Sequence, residues 1–118
     1  NLDVLVVDND PLVRLGTVVM LRDIGYEPTA AADPAHAVEI AKGENAPAIL
    51  VTDYSMPDMT GIELAHAVQA AQPDTRVLIV TGHDHLPEAL KDSWGLLAKP
   101  FTSMELREAL DALQPSGR

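Results

Sequence analysis

Short apolar runs alternate with longer amphipathic stretches along this chain, and the alternation restricts its fold more than any other feature. The apolar runs have the length of strands and predict strands near 2–7, 26–31, 48–53, 76–81 and 94–98. The stretches between and after them predict helices near 11–24, 34–42, 61–71, 85–92 and 102–113. Strands that alternate with helices favour an α/β protein made of βα units on a parallel sheet.

Four of the predicted helices begin with recognisable capping residues. These are Asp10-Pro11, Asp33-Pro34, Thr60 with Glu63, and Thr102 with Glu105. In the first two a carboxylate precedes a proline at the first helical position, and the last two are capping-box patterns. Gly25 can end the first helix in a left-handed turn. Pro28 interrupts the second strand, which predicts that this strand lies at an edge of the sheet.

The composition fits one domain of ordinary size. The chain has 118 residues and no cysteine, and we expect a single domain with its core at about 2–113 and a tail or linker at 114–118. A formal charge of −10 argues against direct binding of nucleic acid. The chain shows no membrane-length apolar run and no signal peptide, so we expect a cytoplasmic domain without membrane contact. Asn1 is not a methionine, which leaves two alternatives open: a segment of a longer protein, or a free-standing single domain.

Polar side chains stand at the ends of four predicted strands. They are Asp8, Asn9 and Asp10 after the first strand, Asp53 at the end of the third, Thr81-Gly82 after the fourth, and Lys99-Pro100 after the fifth. Right-handed crossovers and a reversal of winding after the second strand would give a doubly wound sheet in the order 2-1-3-4-5. Strands one and three would then be neighbours, with their carboxylates in one cleft. Mg²⁺, an oxygen-seeking cation, would relieve the repulsion between such carboxylates.

At this point the sequence resembles the receiver domain of two-component response regulators. Four segments carry the resemblance, namely Val6-Val7-Asp8-Asn9-Asp10-Pro11, residues 52–61 around Asp53, Thr81-Gly82, and Ala98-Lys99-Pro100-Phe101. It extends from about Leu2 to Leu113 with every segment in order, and it implies a flavodoxin-like (βα)5 fold. It also implies that Asp53 accepts a phosphoryl group from a phosphohistidine on a partner, with Thr81 and Lys99 assisting.

The resemblance further implies a Mg²⁺ site, a cis peptide at Lys99-Pro100 and a partner that docks on the first helix. The implied metal ligands are Asp8, Asn9, Asp53 and the main-chain carbonyl of Ser55, with Asp10 as a further candidate whose favoured role is to cap the first helix. The implied partner is a histidine kinase or a phosphotransfer protein. The first helix is apolar over more than one face, which either deep burial or docking of a kinase helix would explain.

Two residues depart from the family pattern. Asn9 stands where the family usually has a second acid, and an uncharged amide oxygen is expected to weaken Mg²⁺ binding. Leu96, three residues before Lys99, stands where the family often has an aromatic ring that moves with the hydroxyl at position 81. Leucine cannot report that motion, so the usual activation of an output domain is in question.

Two other functions stay open from the residues alone. Asp8 and Asp10 after a strand also resemble the nucleophile and general acid of haloacid dehalogenase-type phosphatases. A degenerate receiver that only binds partners would agree with Asn9 and Leu96. Phosphorylation of Asp53 would be self-catalysed, so the isolated domain is not expected to be an enzyme, whereas a hybrid histidine kinase that contained it would be a kinase. The sequence leaves the stimulus, the output and the oligomeric state undetermined.

Overall fold

A computed structural model describes residues 3–43, 46–82 and 94–113 of the chain. The strands are β1 (Asp3–Val7), β2 (Glu27–Ala31), β3 (Ile49–Asp53), β4 (Arg76–Gly82) and β5 (Gly95–Lys99). The helices are α1 (Pro11–Asp23), α2 (Pro34–Lys42), α3 (Gly61–Ala71) and α4 (Ser103–Asp111). Each begins and ends within about two residues of its predicted bounds, which is the usual softness of element ends. The helix predicted near 85–92 and the tail at 114–118 lie outside the described residues.

The five strands form one parallel sheet in the order β2-β1-β3-β4-β5. The predicted strand order is therefore confirmed, and β2, the strand with Pro28, lies at an edge. The central strand β3 is buried along its whole length. β1 and β3 pair with Val7 opposite Thr52, so both strands reach the carboxyl edge of the sheet at the same level.

Helices cover both faces of the sheet, as its alternating side chains require. On one face α2 and α3 pack against Leu5, Leu50 and Ile79. On the other face α1 and α4 pack on a second layer that includes Val6 and Val51. The two layers make the fold doubly wound.

The predicted helix caps all form. Asp10 accepts hydrogen bonds from the first amides of α1, and Asp33 accepts one from His36. The two capping boxes are also present, from Thr60 and Glu63 at α3 and from Thr102 and Glu105 at α4. Gly25 follows α1 with a φ of 98°, a left-handed conformation that favours glycine. Local sequence therefore sets where these helices begin and where the first one ends.

The first helix is not deeply buried on all of its apolar sides. Leu12, Leu15 and Val19 expose 79%, 59% and 47% of their surface, whereas Val18 and Leu21 face the core. Deep burial as the explanation of its wide apolar arc is therefore wrong for these three residues. The described part of the chain contains no helix that is both long and apolar enough to span a membrane.

Candidate functional site at the carboxyl edge of the sheet

The fold brings the polar strand ends together. Asp8 follows β1, Asp53 ends β3, and Lys99 ends β5. Between the last two, Thr81 lies near the end of β4, opposite Ala98 of β5. The site lies where the winding of the sheet reverses between β1 and β3, which is where open α/β sheets form their ligand crevice.

Lys99 joins two carboxylates that are distant in sequence. Its Nζ lies 3.1 Å from Oδ2 of Asp8 and 3.3 Å from Oδ1 of Asp53. The carboxylates are largely buried, with Asp8 at 5% and Asp53 at 8% exposure, so a cation beside them is needed to offset their lost hydration. Lys99 supplies that charge and holds both carboxylates in one pocket.

A hydrogen-bonded turn fixes Asp8 in the pocket. The main-chain N–H of Asp10 donates to Oδ1 of Asp8 at 2.9 Å, which leaves Oδ2 for Lys99. The guanidinium of Arg14 donates to the main-chain carbonyl of Asp8 at 2.7 Å. Arg14 was not among the predicted site residues. The signal available was a basic residue in the first turns of the helix that follows the acidic strand end.

Burial raises the pKa of the Asp53 carboxyl group above its ordinary value, and the negative charge of Asp8 acts in the same direction. The charge of Lys99, a hydrogen bond from its ammonium and one from the main chain of Ser55 oppose that rise in pKa. The resulting carboxyl group is poorly hydrated and surrounded by fixed donors. Such a group gains from any cation or donor that enters the pocket.

The loop after Asp53 is held close to the strand end. Tyr54 donates its main-chain N–H to the carbonyl of Val80 at 2.8 Å and accepts one from Gly61 at 2.7 Å. A Cβ on Gly61 would collide with the carbonyl oxygen of Asp53 and lie 3.1 Å from Cα of Tyr54. Glycine at the first position of α3 is therefore a steric requirement of the acceptor loop.

The donor set fits a hydrated Mg²⁺ better than a metal held by protein ligands alone. Asp8 and Asp53 offer carboxylate oxygens, and Mg²⁺ typically takes one or two carboxylates and keeps several waters. Asn9 is exposed beside them, and Asp10 uses Oδ1 to cap α1. Within the described ranges no group of three or more His, Cys, Asp or Glu residues is arranged to hold a metal ion. A metal here would rest on two carboxylates, an amide and water.

The remaining candidate residues stand at different places. Thr81 is buried at the end of β4, and its assisting role stays a prediction. Leu96 is exposed on β5. The Lys99–Pro100 peptide is cis, as predicted. The role of the Ser55 carbonyl as a metal ligand stays a prediction.

The fold and the site together define a class of protein. It is a doubly wound α/β protein with two carboxylates and a lysine at the point where the winding of the sheet reverses. The family profile described as response regulator receiver domain matches residues 4–111. The chain therefore belongs to the response regulator receiver domain family. The predicted family and the predicted flavodoxin-like fold are confirmed, and membership removes the haloacid dehalogenase-type phosphatase as an alternative.

Individual relatives agree with this assignment. Chemotaxis protein CheY of Pseudomonas aeruginosa is 36% identical over 117 residues, which cover 93% of this chain and 94% of the relative. The probable transcriptional regulatory protein TcrX of Mycobacterium tuberculosis is 32% identical over 93% of this chain, which spans only 48% of TcrX. The response regulator TrrA of Thermotoga maritima, solved in complex with Mg²⁺ and BeF, superposes with a TM-score of 0.82 at 25% identity, covering 97% of this chain and 100% of TrrA.

Proposed function

We propose that this receiver domain accepts a phosphoryl group on Asp53 from a phosphohistidine of a partner protein, with Mg²⁺ in the pocket. The observation that carries the proposal is the contact of Lys99 with both Asp8 and Asp53. A lysine between two buried carboxylates is placed to pair with the charge that a phosphoryl group brings. The Mg²⁺–BeF complex of the related TrrA supports the same reading.

The chemistry asked of the chain is a single displacement at phosphorus. An Oδ atom of Asp53 forms a bond to phosphorus while the bond between phosphorus and the donor imidazole nitrogen breaks, and the electron pair leaves with the imidazole. The product is an acyl phosphate on Asp53. Negative charge spreads over the phosphoryl oxygens during the transfer. The protein therefore contributes by positioning the reacting groups and by electrostatic stabilisation.

Each residue of the pocket has a definable task in that step. Lys99 moves from bridging two carboxylates to pairing with a phosphoryl oxygen, and the hydroxyl of Thr81 donates to another. Asp8, Asn9, Asp53 and the carbonyl of Ser55 would hold the metal, whose charge would offset that of the phosphoryl oxygens. The turn formed by Asp10 and Arg14 keeps Asp8 in place throughout.

The partner is proposed to be a histidine kinase or a phosphotransfer protein of the cytoplasm that docks on α1. Three large apolar side chains are exposed on this helix, at positions 12, 15 and 19. Their spacing of three and four residues places them in one row on a helix surface. An exposed apolar row beside an acceptor pocket suits a protein that must be recognised before it is phosphorylated.

Incubation with acetyl phosphate and Mg²⁺, followed by intact mass measurement, tests the acceptor function without a partner. We expect a gain of about 80 Da, one phosphoryl group, in the wild-type chain and none in Asp53→Asn. Asp58→Asn, which changes an exposed carboxylate of the neighbouring loop, is the matched control and should still gain the group. If the wild-type chain gains no mass, the domain is a receiver that only binds partners, as Asn9 and Leu96 would allow.

A further inference from the structure

Asn9 lies where the chain bends between β1 and α1, and its side chain is exposed. Asparagine is one of the chemically labile residues of proteins. The main-chain nitrogen of the next residue can attack the side-chain amide carbon, because the product is a five-membered ring. Inside helices and strands that nitrogen donates its hydrogen to a main-chain carbonyl, which hinders the attack. The reactivity of Asn9 therefore depends on what holds the N–H of Asp10.

A carboxylate holds the N–H of Asp10. Asp10 is the N-cap of α1, so its N–H lies outside the hydrogen-bond ladder of the helix. It donates to Oδ1 of Asp8 at 2.9 Å, a distance at which a carboxylate can accept the proton as a general base. Lys99 contacts Oδ2 of the same carboxylate at 3.1 Å and fixes its orientation. The nitrogen next to Asn9 is therefore the one whose proton Asp8 is placed to take.

We propose that Asn9 is a self-modifying site, at which the fold converts asparagine to aspartate with Asp8 as the general base. The nitrogen of Asp10 gives its proton to Oδ1 of Asp8 and forms a bond to Cγ of Asn9. The bond between Cγ and the side-chain nitrogen then breaks, and this nitrogen leaves as ammonia with the proton that Asp8 returns.

One water molecule completes the conversion. Its hydroxyl adds to Cγ, the bond between Cγ and the nitrogen of Asp10 breaks, and that nitrogen regains a hydrogen. The main chain is restored, and position 9 carries an aspartate. Opening of the ring at the main-chain carbonyl would instead lengthen the main chain by one carbon. The folded elements on either side, β1 and α1, oppose that route because they hold the spacing of the main chain.

The conversion changes the charge of the acceptor pocket. It adds one carboxylate next to Asp8, which already shares Lys99 with Asp53. A further negative charge strengthens the attraction for a divalent cation, so the affinity for Mg²⁺ should rise as the protein ages. This consequence rests on the proposed Mg²⁺ site, whereas the conversion itself does not.

Incubation of the purified chain at neutral pH, followed by peptide mapping over time, tests the conversion. Trypsin releases residues 1–14 as one peptide, and its fragment masses distinguish Asn9 from Asn1. Replacement of the amide by a carboxyl group adds about 1 Da. A synthetic peptide of residues 1–14 has the same sequence without the fold. Asp8→Ala removes the base, and Asn9→Gln is the matched control, because its longer side chain would have to form a six-membered ring.

We expect residue 9 to convert at least about tenfold faster in the folded chain than in the peptide, a modest share of what a positioned general base supplies. Asp8→Ala should convert at the rate of the peptide, and Asn9→Gln should gain no mass at residue 9. Equal rates in the folded chain and the peptide would overturn the inference, and this comparison does not depend on how well Asp8→Ala folds. An undiminished rate in an Asp8→Ala chain that circular dichroism shows to be folded would also overturn it.

Calorimetric titration with Mg²⁺ supplies the second measurement. The aged chain should bind Mg²⁺ about tenfold more tightly than the fresh chain and should match Asn9→Asp. An aged chain that is converted at residue 9 but binds Mg²⁺ as the fresh chain does would overturn the inferred effect on the pocket. Absence of Mg²⁺ binding in every form would instead overturn the proposed function, and the mass measurement would still decide the conversion.

Discussion

Alanine at position 61 should destabilise the domain even though alanine is the better helix former. The added Cβ would collide with the carbonyl oxygen of Asp53 and lie 3.1 Å from both the carbonyl carbon of Asp53 and Cα of Tyr54. These are main-chain atoms of a buried strand end and its loop, and they cannot turn aside as a side chain would. Overpacking of this kind typically costs about 1–3 kcal/mol, more than the helix preference of alanine returns.

The matched control is the same substitution at a glycine with open space. Gly16→Ala adds a Cβ that meets nothing within 4 Å, so it should stabilise the domain by about 0.5–1 kcal/mol. Urea unfolding of the wild type and both variants measures the free energies of unfolding on one scale. Opposite signs are expected for Gly61→Ala and Gly16→Ala. If the free energy of unfolding of Gly61→Ala lies within about 0.5 kcal/mol of the wild-type value, the inferred steric contact with Asp53 is wrong.

The same variant should slow phosphorylation. The strand end must move to admit a methyl group, and displacement of Asp53 relative to Lys99 changes the geometry on which the proposed reaction depends. The rate with acetyl phosphate should therefore fall in Gly61→Ala and stay unchanged in Gly16→Ala. A destabilised Gly61→Ala chain that accepts the group at the wild-type rate would separate the steric role of this glycine from the acceptor site.

Three further outcomes follow from the charges of the pocket. Asn9→Asp should bind Mg²⁺ about tenfold more tightly by calorimetric titration, because one more negative charge lies near the cation. An unchanged affinity would exclude residue 9 from the metal site. Lys99→Met should accept phosphoryl groups from acetyl phosphate about 100-fold more slowly, since it loses a charged donor, whereas Lys42→Met on α2 should not; equal rates would exclude Lys99 from the step. Asp53→Asn should be more stable than the wild type at neutral pH, as measured by urea unfolding. The pKa of Asp53 is raised in the folded state, so the wild-type protein loses stability as the pH rises through that pKa. The difference should shrink as the pH falls toward 4, and a difference that grew instead would contradict the direction of the shift.

Local features of the fold could be read from the sequence. Asp10, Asp33, Thr60 and Thr102 cap helices through contacts within three residues, so their roles need no knowledge of the tertiary structure. The strand order followed from the handedness of βα crossovers and the reversal after β2. Once that order was in place, the meeting of the acidic strand ends with Lys99 followed as well.

Contacts between distant segments could not be read in this way. The apolar arc of α1 predicts that some face is buried, but it does not say which side the sheet and α4 leave uncovered, and Leu12 and Leu15 lie there. The contact of Gly61 with the carbonyl of Asp53 depends on the path of an intervening loop. The hydrogen bond from Arg14 depends on a side-chain rotamer that no spacing rule specifies.

The central claim is that Asp8, Asp53 and Lys99 act as one phosphoryl-accepting pocket. Titration of ¹⁵N-labelled protein with Mg²⁺ and beryllofluoride, which stands in for the phosphoryl group, tests it directly. The amide resonances of the ends of β1, β3 and β5 should shift together with one dissociation constant in the wild type, and none should shift with beryllofluoride in Asp53→Asn. Shifts confined to one strand end, or a full response in Asp53→Asn, would contradict the account.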